Sequence, residues 1–89
     1  MLHERWALSG SVALRPEPFG ALAYDFTSRR LSFLKSPRLV RVVESLRESQ
    51  DVAAALTGAG VPEEQWPQYE SALRQLADRG MLTSRGSQS

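Results

Sequence analysis

The sequence predicts a single small α+β domain, in which a three-stranded antiparallel β-meander is followed by three helices. Apolar residues alternate with polar ones as far as about residue 35, which is typical of strands, and recur every three or four residues from residue 36 onward, which is typical of helices. A chain of 89 residues is too short for two hydrophobic cores, and a hydrophobic content of 42% is enough for one. Residues 1–83 are expected to form this domain, and residues 84–89 a polar tail.

The strands are predicted from period-two apolar patterns separated by turn-forming residues. Residues 11–15 form the first strand, and residues 16–20 are expected to form a loop because they contain two prolines and a glycine. Residues 21–26 and 30–35 form the second and third strands, joined by a hairpin turn whose type the residues leave open. The alternation places Val12 with Leu14 on one face, Leu22, Tyr24 and Phe26 together on one face, and Leu31 and Phe33 toward the core.

The first helix is expected to begin at Ser36 and Pro37. The Ser36 hydroxyl can cap the helix, and Pro37 falls at the first helical position, where no backbone donor is needed. Leu39, Val43 and Leu46 follow at helical spacing and form an apolar stripe.

Two further helices are predicted beyond this one. Asp51 caps a short helix over residues 52–56, which Gly58 ends. The main third helix covers residues 66–79 and ends at Gly80. Its apolar stripe consists of Trp66, Tyr69, Leu73 and Leu76. Met81 and Leu82 are expected to fold back on the core.

The composition argues against an enzyme. The chain has no cysteine and a single histidine, His3, which excludes thiol catalysis, disulfides and cysteine-based metal sites. It has no nucleotide-binding or hydrolase motif. Its charged start lacks the apolar run of a signal peptide, and no stretch approaches the ~20 apolar residues of a membrane span. We therefore expect a cytoplasmic, non-catalytic protein without metal or cofactor.

A formal net charge of +1 conceals a segregation of charge along the chain. Residues 29–48 carry six basic and two acidic residues, and residues 51–78 carry one basic and five acidic residues. This pattern is typical either of solvated faces or of a basic surface that meets an acidic partner. The basic residues of the first segment are Arg29, Arg30, Lys35, Arg38, Arg41 and Arg47.

The third predicted strand has one edge that no neighbouring strand in the sequence fills. Such an edge can accept an extended peptide, which gains main-chain hydrogen bonds and places alternate side chains in pockets. The groove between this strand and the third helix would supply the pockets. Two alternatives remain open: charged residues on the edge can be a defence against aggregation, and the edge can pair with a second copy to form a homodimer.

Four segments of the sequence resemble the mycofactocin-biosynthesis peptide chaperones of the MftB type. They are VALRPEPFGALAY at residues 12–24, RLSFLKSP at 30–37, GVP at 60–62 and LADRGM at 76–81. The resemblance covers about residues 6–82. It implies a recognition element for ribosomally made peptides, with a winged helix-turn-helix-like fold, similar to the chaperone of pyrroloquinoline quinone biosynthesis.

The resemblance also implies the partners and the site. Such proteins bind the acidic leader of a precursor peptide as a strand added to the third strand, beside the third helix, and present it to a radical S-adenosylmethionine (SAM) maturase. We expect Leu31, Ser32, Phe33 and Leu34 to supply backbone pairing, and Phe33, Tyr69, Leu73 and Leu76 to shape the groove or its supporting core. Arg29, Arg30, Lys35, Arg38 and Arg41 are expected to attract the leader.

Two other functions are compatible with this fold. A winged helix can bind nucleic acid, but Glu70 and Asp78 on the third helix would repel phosphates, and the near-neutral chain argues against binding held mainly by charge. A subunit that activates an enzyme without touching its substrate would bind the enzyme and not the peptide.

Overall fold

The computed structural model describes residues 1–84, which form an α+β domain of two small sheets and three helices. The elements are β1 (Trp6–Leu8), β2 (Val12–Glu17), β3 (Gly20–Asp25), β4 (Leu31–Leu34), α1 (Pro37–Ser45), α2 (Val52–Gly58), α3 (Trp66–Asp78) and β5 (Leu82–Ser84). The predicted fold class is confirmed. None of the helices in the described part of the chain is long and apolar enough to cross a bilayer.

Strands β2, β3 and β4 form the predicted antiparallel meander, in that spatial order. The loop predicted over residues 16–20 is wrong, because β2 continues to Glu17 and only two residues separate it from β3. Phe26 N–H donates to Ser11 O at 2.9 Å, so these two residues form a hydrogen-bonded pair of the antiparallel ladder. Bonded and non-bonded pairs alternate along the ladder, and the pair of Pro16 with Ala21 is a non-bonded one. An edge strand tolerates proline there, since the missing donor would face away from its partner.

The helices cover the face of this sheet opposite to the one expected. Ala21, Ala23 and Leu34 are buried, at 1%, 0% and 2% exposure. Leu31 and Phe33, expected to point inward, are exposed, so that expectation is wrong. Helix α1 packs against β3, and alanine on that face allows the two backbones to approach closely. The alternation therefore identifies which residues share a face, but not which face the helices cover.

The helix boundaries follow the predicted caps. Ser36 Oγ accepts a hydrogen bond from Leu39 N–H at 3.1 Å, and Asp51 Oδ1 accepts one from Ala54 N–H at 2.8 Å. Pro67 lies in the first turn of α3, where it costs no helical hydrogen bond. Gly80, with φ of 76°, ends α3 in the left-handed conformation.

A second, two-stranded sheet was not predicted. β1 pairs antiparallel with β5, with Ala7 opposite Thr83. Met81 and Leu82 fold back on the core as predicted, at 0% and 3% exposure. Ser84, assigned from the sequence to the polar tail, is the last residue of β5, and residues 85–89 of that tail lie outside the described residues. β1 and β5 have three residues each, which is too short for an apolar alternation to be recognised in the sequence.

Candidate functional site

Strand β4 is an edge strand, because the sheet order is β2-β3-β4. Asp25 N–H donates to Arg30 O at 3.0 Å, so Asp25 and Arg30 form a hydrogen-bonded pair. In an antiparallel ladder such pairs alternate, which makes Ser32 the next bonded residue of β4. The N–H and C=O groups of Leu31 and Phe33 therefore point away from β3. We call this row of groups the β4 edge.

One group of the β4 edge already has a partner. The Arg79 guanidinium, at the end of α3, donates a hydrogen bond from Nη1 to Leu31 O at 3.3 Å. This contact is exposed and long, so it is weak. It nevertheless shows that a donor on α3 can reach the β4 edge. The sequence reasoning did not identify Arg79.

A groove of about 270 Å³ lies beside the β4 edge, and we call it the β4–α3 groove. Residues 31–35 form one wall. The other wall consists of Ala72, Gln75 and Leu76 from α3, Arg79 directly after its last residue, and Leu39 from α1. A second depression of about 180 Å³, which includes Tyr69, shares Leu39 and Ala72 with the first and extends it toward the start of α1.

The structure brings together about half of the predicted site. Leu31, Ser32, Phe33, Leu34, Lys35 and Leu76 line the β4–α3 groove, and Tyr69 lines its extension. Leu73 is fully buried and lies in the core. Arg29 and Arg30 are exposed in the turn that precedes β4.

Lys35 is the only predicted cation that lines the groove within the described residues, and Arg38 and Arg41, like the two turn arginines, lie apart from it. Arg41 lines a different depression, between α1 and α2, together with Glu44 and Glu48. Arg38 is half-buried in the first turn of α1 and lines neither part of the groove. The basic segment of the sequence therefore divides between separate surfaces once α1 is folded.

The residues missed on α3 follow a regular spacing. Ala72, Gln75 and Arg79 lie three and four residues apart, so they share one helix face with Leu76 and Tyr69. Helical spacing from the predicted groove residues could therefore have identified Arg79. The sequence pattern of this helix indicates its buried stripe instead, because the helical period is recognised from the apolar residues.

The charged side chains that line the β4–α3 groove are positive. Its lining includes Lys35 and Arg79 and no carboxylate. Within residues 1–84, neither of these side chains forms a salt bridge, and the side-chain ion pairs that do form join Arg15 to Glu17 and Arg74 to Glu70. The groove therefore favours a ligand with acidic side chains.

Asp25 organises the turn that holds Arg29 and Arg30. Its Oδ1 accepts hydrogen bonds from Ser11 Oγ at 2.9 Å and from Thr27 N–H at 2.9 Å. The Ser11 hydroxyl is the main reason that the pKa of Asp25 lies below its usual range. Arg29 adopts the left-handed conformation, with φ of 62°, near the end of this turn.

The described residues contain no group of three or more His, Cys, Asp or Glu side chains that could hold a metal ion. What the site offers is an open strand edge, an adjoining groove and cations along both. This is the arrangement of domains that take up an extended peptide as an added strand.

The chain belongs to the peptide chaperone MftB family, whose sequence profile matches residues 5–83. The peptide chaperone MftB of Mycolicibacterium smegmatis is 49% identical over 77 residues, which cover 86% of this chain and 76% of that protein. The peptide chaperone MftB of Mycobacterium tuberculosis is 46% identical over 80 residues, covering 90% of this chain and 73% of that protein. No solved structure matches the chain. The resemblance inferred from the sequence is confirmed.

Proposed function

We propose that this protein is a non-catalytic peptide chaperone of mycofactocin biosynthesis. It binds the acidic leader of a ribosomally made precursor peptide and presents the peptide to a radical SAM maturase. The observation that carries the proposal is the β4 edge, where the main chain of Leu31 and Phe33 faces away from the sheet beside a groove with two cations and no carboxylate. Membership of the peptide chaperone MftB family supports the same role.

The leader would bind as a fourth strand of the sheet. Its main chain would pair with Leu31 and Phe33, and alternate side chains would enter the β4–α3 groove. Leu76 and Leu39 provide apolar contact on the floor of this groove. Arg79 would release Leu31 O to the leader and bind one of the leader carboxylates, because a charge-assisted pair is stronger than the long contact that it replaces.

The cations at and beside the groove would also act at a distance. Arg29 and Arg30 stand at one end of β4, and Lys35 follows its other end. An acidic peptide would therefore meet positive charge along the whole edge. Such complementarity speeds encounter and favours acidic sequences over neutral ones.

A backbone test separates strand addition from binding by charge alone. Phe33→Pro removes a donor that faces the incoming strand and leaves the β3–β4 hydrogen bonds at Ser32 intact. We expect about tenfold weaker binding of the precursor peptide, with circular dichroism close to that of the wild type. Phe33→Ala, which keeps the donor, is the matched control and should lose much less.

Amide chemical shifts locate the peptide directly. Titration of the labelled protein with the precursor peptide should perturb residues 31–35 and the α3 residues Ala72, Gln75 and Arg79. Shifts confined to the α1–α2 depression around Arg41 would place the peptide elsewhere, and equal affinity of Phe33→Pro and the wild type would rule out pairing at this edge.

A further inference from the structure

The face of the β2-β3-β4 sheet turned away from the helices is apolar and exposed. It carries Phe19, Tyr24, Phe26, Leu31 and Phe33, which are exposed by 36–60%, together with the half-buried Leu22. We call these six residues the aromatic face. A solvated sheet face normally carries polar residues, so this composition requires an explanation.

The six side chains form one continuous surface. In the β3–β4 register, Leu22 lies opposite Phe33 and Tyr24 opposite Leu31. The Phe19 and Phe33 rings meet edge to face, with centroids 5.9 Å apart. The rings of Tyr24 and Phe26 do the same at 5.8 Å. A contiguous apolar patch of this kind on a small protein marks an interaction surface, whereas isolated apolar residues do not.

The core does not need these side chains. The helices pack on the other face, over Ala21, Ala23 and Leu34. Leu31, Phe33 and Phe26 keep about half or more of their surface in contact with solvent. Their large apolar area therefore contributes little to folding and remains available for a partner.

The charges around the aromatic face indicate what covers it. Arg15 on β2 lies opposite Leu22 and therefore on this face, and the alternation along β4 puts Lys35 on the same side. Arg29 and Arg30 lie in the adjoining turn. On β2, Glu17 shares this side with Arg15, and the two side chains are paired at 3.3 Å. A second copy of the chain would bring cations against cations, which disfavours pairing of two such faces. The complementary surface has an apolar centre and carboxylates at its border.

We propose that the aromatic face is the docking surface for the maturase, separate from the β4 edge that takes the peptide. This inference rests on the proposed function, in which peptide and enzyme are held together. Strand β4 serves both, since the main chain of Leu31 and Phe33 points along the sheet while their side chains point out of it. An added peptide strand would extend the sheet, so its outward side chains would lie beside the aromatic face and under the docked enzyme.

The test uses substitutions on β3 and in the following turn, which leave every residue of β4 unchanged. Tyr24→Ser with Phe26→Ser removes two exposed rings, and circular dichroism should show the wild-type fold. We expect the dissociation constant for the maturase to rise about tenfold or more, because aromatic residues dominate binding energy at protein interfaces. The dissociation constant for the precursor peptide should stay within about twofold. Ala54→Ser, at an exposed position on α2, is the control and should change neither constant.

Three results would overturn the inference, and a fourth would contradict only the proposed function. Unchanged maturase affinity in the double variant would mean that the enzyme binds elsewhere. An equal loss of peptide affinity would make the aromatic face part of the peptide site. A wild-type dimer in sedimentation equilibrium that the double variant abolishes would identify a second copy as the occupant. Failure of the wild type to bind the peptide would contradict the proposed function alone, since maturase binding is measured without the peptide.

Discussion

Gly20 begins β3, and both its backbone and its surroundings require glycine. Its φ of 149° is a conformation that residues with a side chain rarely adopt. A Cβ at this position would collide with the carbonyl oxygen of Leu34 on β4. The close approach of β3 and β4 at this end of the sheet therefore depends on a missing side chain.

Gly20→Ala is expected to destabilise the protein by about 2 kcal/mol, through strain at the backbone and displacement of the Leu34 carbonyl. Urea denaturation measures the change. Gly10→Ala is the matched control, because a Cβ there would meet no atom within 4 Å beyond its own residue and the two adjacent ones. Its effect should stay within about 0.5 kcal/mol. Equal stability of the two variants would contradict the argument.

Asp25 is a buried polar residue, 5% exposed, at the start of the turn before β4. The hydrogen bond from Ser11 Oγ is the main cause of its lowered pKa, and the N–H groups of Thr27 and Ser28 add to it. Since the ionised form accepts all three, the turn is best held when Asp25 carries its charge.

Ser11→Ala is expected to raise the pKa of Asp25 toward its ordinary value. The folded-state pKa is below the unfolded one, so the hydrogen bond stabilises the fold fully above the unfolded-state pKa of about 3.9. That contribution is lost as the pH falls through the folded-state pKa. The difference in stability between wild type and variant should therefore shrink below about pH 4.

An NMR titration of the Asp25 carboxyl and denaturation at several pH values check this prediction. Ser9→Ala removes the contact between the two serine hydroxyls but keeps the bond to Asp25, and it should leave the pKa of Asp25 in place. An unchanged pKa of Asp25 in Ser11→Ala would show that the backbone N–H groups alone lower it.

The bounds of strand β4 were predicted from the sequence to within one residue at each end. Its open edge was predicted as well. The sequence did not reveal the orientation of its side chains. Leu31 and Phe33 are as apolar as core residues, and the alternation looks the same whichever face is covered. The orientation of these side chains depends on which face of the sheet α1 packs against. That packing is a tertiary contact, which the local pattern of β4 does not contain.

The cations at the two ends of β4 are expected to govern the rate of peptide association. Arg30→Glu with Lys35→Glu should lower the association rate of the acidic precursor peptide by about tenfold and flatten its salt dependence. Stopped-flow fluorescence at several salt concentrations measures both quantities.

Arg41→Glu with Arg47→Glu makes the same change in net charge and is the matched control. Arg41 lines the depression between α1 and α2, and Arg47 lies near β1. At about 0.1 M salt, where distant charges are screened, this variant should stay within about twofold of the wild-type rate. Equal losses in the two double variants would mean that net charge, and not the β4 edge, attracts the peptide.

The described residues measure 33 × 30 × 19 Å, and the segments that contain β1 and β5 hold the domain together. β1 and β5 pair with each other, and the segment before β1 caps α2, where Val52 N–H donates to Glu4 O at 3.1 Å and Ala53 N–H to Leu2 O at 2.9 Å. These bonds satisfy donors at the helix start that would otherwise lack partners. The second sheet therefore closes the core beneath α1 and α3.

Leu82→Ala is expected to cost about 2–4 kcal/mol, because it leaves a cavity among the core residues and weakens the pairing of β5 with β1. Thermal and urea denaturation measure the loss. Thr83→Ala, on the exposed side of β5, is the control and should change stability by less than about 0.5 kcal/mol. A cost below about 1 kcal/mol for Leu82→Ala would show that β5 is dispensable.

The sequence alone determined the features that depend on neighbouring residues: the caps at Ser36 and Asp51, the three helices, the antiparallel meander and its open edge. The tertiary structure decided what depends on distant contacts: the covered face of the sheet, the pairing of β1 with β5, the reach of Arg79 to Leu31, and the separation of Arg41 from the groove. Local patterns reflect the period and ends of an element, which its own backbone sets. The face of an element that packs against another is determined by how the chain as a whole buries its apolar surface.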